Sequence, residues 1–165
     1  MLFALVLSLA LSQSPAKGPS PYETAKLFFL AGDIGKAEEI ARTGIKSDKK
    51  RCTALLKLLA EYAFLANHVD EFTPEQAKQF LDLDRKIAPG AVGKLTQKAV
   101  ERYLDKPLAI AKLRAQGGDV EGAMGIAQDI LKIDPKHADT LSFVKSLHAT
   151  DAGSPEVGSS KRPTP

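Results

Sequence analysis

The sequence predicts an all-α fold of about eight short helices, and three observations carry that expectation. Apolar residues recur at helical spacing along most of the chain. Helix start and stop residues stand where each periodic stretch begins and ends. No segment shows the apolar–polar alternation between hairpin turns that marks a half-buried strand. At 165 residues the chain is long enough for one domain with its own core. The absence of tryptophan and a low aromatic content suit helices packed through alanine and leucine.

The ends of the chain read differently from its middle. Leu2 to Leu11 is apolar except for Ser8, too short for a membrane span of about 20 residues but right for a secretory h-region. Ala10 and Ser12 supply the small residues that a signal peptidase reads, so residues 1–12 are expected to be a cleaved signal peptide. The leader holds no Lys or Arg, and its alternative is a buried or interfacial N-terminal helix. Residues 13–20 form a Pro/Ser/Gly linker, 21–148 the helical domain, and 149–165 a tail without apolar periodicity, expected to be disordered. On this reading the protein is exported, periplasmic, and has no membrane span in its mature chain. One cysteine, Cys52, cannot form an internal disulfide and suits a small filler on a helix.

Within the domain each helix has its own signals. Ile34, Ala37, Ile40, Ala41 and Ile45 share one face, with Asp33 placed to cap it. Leu55, Leu56, Leu58, Leu59, Tyr62 and Leu65 make the next helix apolar enough to be buried on most sides. Thr73-Pro74-Glu75-Gln76 is a capping box with proline at the first helical position, and Pro89-Gly90 ends the helix that carries Ala77, Phe80, Leu81 and Ile87. A further helix holds Val92, Leu95, Ala99, Val100 and Tyr103 and ends near Pro107, which opens the next one through Ile110 and Leu113. Asp119 caps Val120, Ala123, Ala127, Ile130 and Leu131. The last helix, His137 to Leu147, places Leu141, Val144 and Leu147 inward and Thr140, Lys145 and Ser146 on a polar outer face.

Part of the chain is written twice. AKLFFLAGDIGKAEEIARTGIKSDKK from Ala25 aligns with AKLRAQGGDVEGAMGIAQDILKIDPK from Ala111, an offset of 86 positions. Both copies are a helix, a Gly-Asp turn and a second helix. They resemble the tetratricopeptide repeat, a helix-turn-helix unit of about 34 residues. Gly32-Asp33 and Gly118-Asp119 match that family's turn, Ala37 and Ala123 its small crossing residue, Phe28 a preferred aromatic position, and Asp134-Pro135 its terminal Asp-Pro. A weaker middle unit offers Ala77 and Pro89 at the same roles. The units depart from the family in spacing: the three alanines are 40 and then 46 positions apart. Lys49 and Pro21 stand where a proline and a tryptophan belong. The resemblance implies an α-solenoid of helical hairpins, each covering the apolar face of the last.

Candidate chemistry is sparse. GDIGK, at Gly32–Lys36, ends like a phosphate-binding loop, yet Leu30 replaces the first glycine and Ala37 the hydroxyl that would hold magnesium. The second copy keeps Gly-Asp and loses Gly-Lys, so the turn is what recurs. His68, His137 and His148 lack the spacing of a helical metal pair, and no nucleophile motif is present. Net charge is +3 with both signs interspersed, unlike the basic stripe of a nucleic-acid binder. The run Lys46, Lys49, Lys50, Arg51 is diluted by Asp48 and reads as a solvated turn. No catalytic residue, cofactor or metal is therefore expected.

The resemblance implies a non-catalytic scaffold whose first helices line a groove for a peptide or protein partner. Carried over position by position, that groove takes Tyr22, Lys26 and Phe29 from the first unit, Tyr62 from the second and Lys112 from the third. Aromatic anchors beside lysines suit a mixed apolar and acidic peptide. Phe29 and Tyr62 fit the core as well as the groove, because periodicity does not separate the two. The alternatives are a self-assembling structural component and a regulatory subunit of a cell-wall or secretion enzyme.

Overall fold

The computed structural model describes residues 18–151. The expected signal peptide, most of the linker and the tail from residue 152 lie outside the described residues. Among those described, the chain is all-helical, with no strand.

The first hairpin shows why a Gly-Asp pair suffices as a turn. Helix α1 (Pro21–Leu30) is capped by Ser20 and is followed by a turn through Gly32, whose φ of +86° is a left-handed conformation that glycine adopts without a Cβ penalty. The Gly32 N–H then donates to the Phe29 carbonyl and the Asp33 N–H to the Phe28 carbonyl, both at 2.9 Å, which satisfies the last carbonyls of the helix. The Asp33 carboxylate meanwhile accepts the Lys36 N–H at 3.0 Å and starts α2 (Ile34–Gly44). One residue thus closes one helix and opens the next.

The second copy repeats this bond for bond. Between α6 (Lys106–Gln116) and α7 (Val120–Ile133), Gly118 has φ +87° and donates to Ala115 at 3.0 Å. The Asp119 N–H donates to Arg114 at 3.0 Å, and the Asp119 carboxylate accepts the Gly122 N–H at 2.9 Å. Ala25, Ala37 and Ala41 are wholly buried in the first hairpin, as are Ala111, Ala123 and Ala127 in the second. A small side chain lets two helices approach closely. Ala37→Leu should therefore cost about 1–3 kcal/mol by overpacking. Lys36→Ala should cost no more than about 1 kcal/mol, the loss of an exposed ammonium 4.8 Å from the Phe28 ring. Urea unfolding of the two variants would check the contrast.

Helix α3 (Lys49–Ala66) is capped by Asp48 and buries Cys52, Leu55, Leu59, Tyr62 and Leu65. It is less enclosed than the leucine run predicts: Leu56 and Leu58 are half-buried. A 3₁₀ turn, Val69–Glu71, leads to α4 (Pro74–Ile87), where the capping box forms as read from Thr73 and Gln76. Tyr103 pins this longer connection, its hydroxyl accepting the Phe72 N–H at 2.9 Å and donating to the Val69 carbonyl at 3.0 Å. Helix α4 runs through the main core, touching α3, α7 and the helix that follows it, α5 (Lys94–Val100).

Pro107 does not separate two helices. Helix α5 (Lys94–Val100) passes through a π-helical segment, Glu101–Asp105, straight into α6. There the Lys106 N–H reaches the Glu101 carbonyl, five residues back. The wider turn accommodates a residue that has no N–H and whose ring would crowd the carbonyl of Tyr103 in an α-helix. Val92 lies before this rod, half exposed.

The last helix, α8 (Ala138–Asp151), also differs from its expected register. Thr140 is fully buried and Leu141 is exposed. His137 accounts for this: its Nδ1 bonds the Thr140 hydroxyl at 2.7 Å, and its Nε2 lies 3.6 Å from Asp105 in the π segment. These contacts turn Thr140 inward. Leu147 joins Ala111 and Ala123 in a smaller core beneath α6, α7 and α8. The helix also continues through residues 149–151, which the sequence assigns to the tail.

Candidate functional site

The five expected groove residues divide. Phe29 and Tyr62 are 1% and 0% exposed, so of their two readings the structure gives the core. Their rings meet edge to face at 4.8 Å, and Tyr62 stacks on Phe80 at 4.3 Å. The buried faces of α1, α3 and α4 converge there, which removes both rings from any partner. Tyr22 is half-buried under the Arg51 guanidinium, 3.9 Å above its ring, with the Lys26 ammonium at 5.4 Å. Glu23 holds both cations, at 3.0 Å from Arg51 and 3.3 Å from Lys26. Arg51 is therefore a packing residue, not part of a free basic run. Lys112 is exposed on α6, apart from this cluster.

Beneath the aromatic stack lies a polar knot that no motif in the sequence marks. The Tyr62 hydroxyl is 2.8 Å from Thr96 Oγ1, which in turn donates to Asp84 Oδ1 at 2.7 Å. Because the Thr96 proton is given to the carboxylate, Tyr62 is the donor of the first bond. The Gly93 N–H also donates to Asp84 Oδ1, at 3.0 Å. Position 93 is a glycine for want of room: a Cβ there would lie 2.8 Å from Asp84 Oδ1 and 3.4 Å from the Phe29 ring. Burial pushes the Asp84 carboxyl above its ordinary value, against the lowering effect of Thr96, Gly93 and Arg85. Burial likewise raises the Tyr62 phenol. Asp84 lies four residues after Phe80 and three before Ile87, both buried, so helical spacing already puts it on the inner face.

Comparison with protein-family models, with curated proteins and with solved structures gives no significant match to this chain.

The knot is almost wholly buried and joins α3, α4 and α5, with both donated bonds ending on Asp84 Oδ1. Its arrangement is that of a tie between helices. A second acid, Asp134, is similarly buried at the end of α7 and bonds Arg85 of α4 at 2.6 Å. Among the described residues no helix is long and apolar enough to cross a membrane.

The surface is where unassigned groups remain. Leu27 on α1 is 59% exposed, Phe64 on α3 72%, and Ile110 and Leu113 on α6 are 52% and 67%. Beside Phe64, an open groove of about 490 Å³ runs between α3 and α4, lined by Ala60, Glu61, Leu65, Gln76 and Gln79. Leu27 and Leu113 stand at matching places in the two copies. That recurrence was the available signal for them. Single exposed apolar residues are ordinary, but the same exposed leucine at both equivalent positions is a pattern.

Proposed function

We propose that the protein is a non-catalytic interaction module, a scaffold or adaptor of a bacterial cell envelope that holds a peptide or protein partner against its first helices. The observation that carries this reading is the set of large apolar side chains left in solvent on α1, α3 and α6: Leu27, Phe64, Ile110 and Leu113. The duplicated hairpin supports a tetratricopeptide-like architecture, with α1 and α6 as equivalent first helices. The envelope assignment rests on the apolar leader. Crosslinked recovery from cell-envelope extract should yield a discrete partner set with the parent chain and lose it with a Leu27→Ser, Leu113→Ser double variant. Equal recovery by both would remove this surface from the function.

Self-assembly has its own observation in its favour. An open groove of about 690 Å³ between α7 and α8 is lined by Val120, Met124, Gly125 and Leu147, with Glu121, Gln128 and His148. At the equivalent positions of α2, the first copy carries Glu38 and Glu39 in place of Met124 and Gly125. Light scattering at high concentration separates the readings: a monomer counts against assembly through this face.

A further inference from the structure

The two hairpins share a backbone and differ in charge. In α1, Glu23 lies 3.3 Å from Lys26 and neutralises it. The residues 86 positions on are Ala109 and Lys112. The second copy thus keeps the lysine and the exposed leucine, Leu113, and has lost the acid. Among the described residues, no carboxylate pairs with Lys112, whereas Lys106 is held by Glu101 at 3.1 Å and Arg114 by Asp119 at 3.3 Å. Helix α1 carries one acidic and one basic residue; α6 carries three basic residues and no acidic one.

The placement of these groups makes a surface. At about 100° per residue, Ala109, Leu113 and Ile110 form one strip along α6, with Lys112 on one border and Arg114 on the other. Leu108 and Ala111 on the opposite side are buried. Taking the interaction role above as given, we infer that α6 docks an acidic amphipathic peptide segment. An apolar side chain of the ligand lies over Ile110 and Leu113, and a carboxylate takes the place at Lys112 that Glu23 occupies beside Lys26. An anionic bilayer would also attract cations, but two large apolar side chains on a helix fixed by its neighbours make a narrow face for membrane insertion. A short peptide fits it better.

The first copy supplies the test. Ala109→Glu restores the missing acid at an exposed position and should close the site without disturbing the fold. Random short peptides displayed on phage would be selected against the immobilised full chain, and the binders compared with those selected on Ala109→Glu and Lys112→Glu. On the parent chain the binders should combine Asp or Glu with a large apolar residue, and that acidic bias should vanish on both variants. A synthetic copy of the best acidic binder should bind Ala109→Glu about two- to fivefold more weakly, the worth of one exposed ion pair. Selected peptides without acidic bias, or equal affinity for parent and Ala109→Glu, would overturn the inference. If Ile110→Ser and Leu113→Ser still abolish binding in that case, the interaction role survives and only the charge assignment fails. Binding to phosphatidylglycerol vesicles without any peptide selection would assign the face to a membrane surface instead.

Discussion

Phe80→Ala should lower the unfolding free energy by about 3–5 kcal/mol, the largest loss expected from any single side chain described here. Phe80 is fully buried on α4. Its ring stacks on Tyr62 at 4.3 Å and meets Phe72 edge-on at 5.3 Å. Removing it empties the junction where α3, α4 and the 3₁₀ connection meet, and the stiff helices around it limit collapse of the cavity. Domains of this kind are typically stable by only about 5–15 kcal/mol. Phe80→Leu, which keeps most of the volume, should therefore be measured beside it and stay well under the alanine cost. Phe64→Ala is the control within one residue type: the ring is 72% exposed, and the change should stay within about 0.5 kcal/mol. Urea unfolding followed by far-UV circular dichroism would rank the three.

Asp84 should give the second largest effect, and one that depends on pH. Asp84→Leu leaves the Gly93 N–H without an acceptor. It also strands one proton of the Thr96–Tyr62 pair, since two hydroxyls facing only each other use one. At about 1–3 kcal/mol for each of the two orphaned donors, partly offset by the apolar gain of the buried leucine, the cost is about 2–5 kcal/mol. Asp84→Asn retains an oxygen for both donors and should cost far less. The sign with pH follows from burial, which raises the folded carboxyl above its unfolded value. Its stabilising contribution is then fully present below the unfolded value of about 3.9 and is lost as pH rises through the folded one. Parent stability measured relative to Asp84→Asn should therefore fall with rising pH from about 4 upward and then level off. A difference that rises over that window would show that the knot favours the charged carboxylate instead.

Caps and turns were legible in the sequence because they are local. Asp33, Thr73 with Gln76, and Asp119 each bond a backbone N–H three residues on, and nothing distant is needed to place them. The duplicated hairpin was legible for the same reason, since its glycine and aspartate finish one helix and begin the next within four residues. Where the local pattern misleads, either the backbone adjusts nearby or a distant group intervenes. Pro107 looked like a boundary, but a π segment carries the helix past it. Thr140 looked exposed until His137, held near Asp105, turned it inward.

The candidate site was less legible, for a related reason. Helical periodicity identifies one apolar face but does not say whether another helix covers it. Phe29 and Leu27 lie two residues apart on α1, one buried in the aromatic stack and one in solvent. Only the arrival of α3 and α4 on the Phe29 side decides between them.

By itself, then, the sequence determined an all-helical chain, the ends of most of its helices and a hairpin written twice, because hydrogen bonds between near neighbours set all three. Tertiary structure alone decided that Phe29 and Tyr62 are core, that Asp84 is tied beneath them, and that Leu113 and Lys112, which has no ion-pair partner among the described residues, face outward. Those outcomes depend on which helix packs over which face, a relation between residues far apart in the chain that no local pattern encodes.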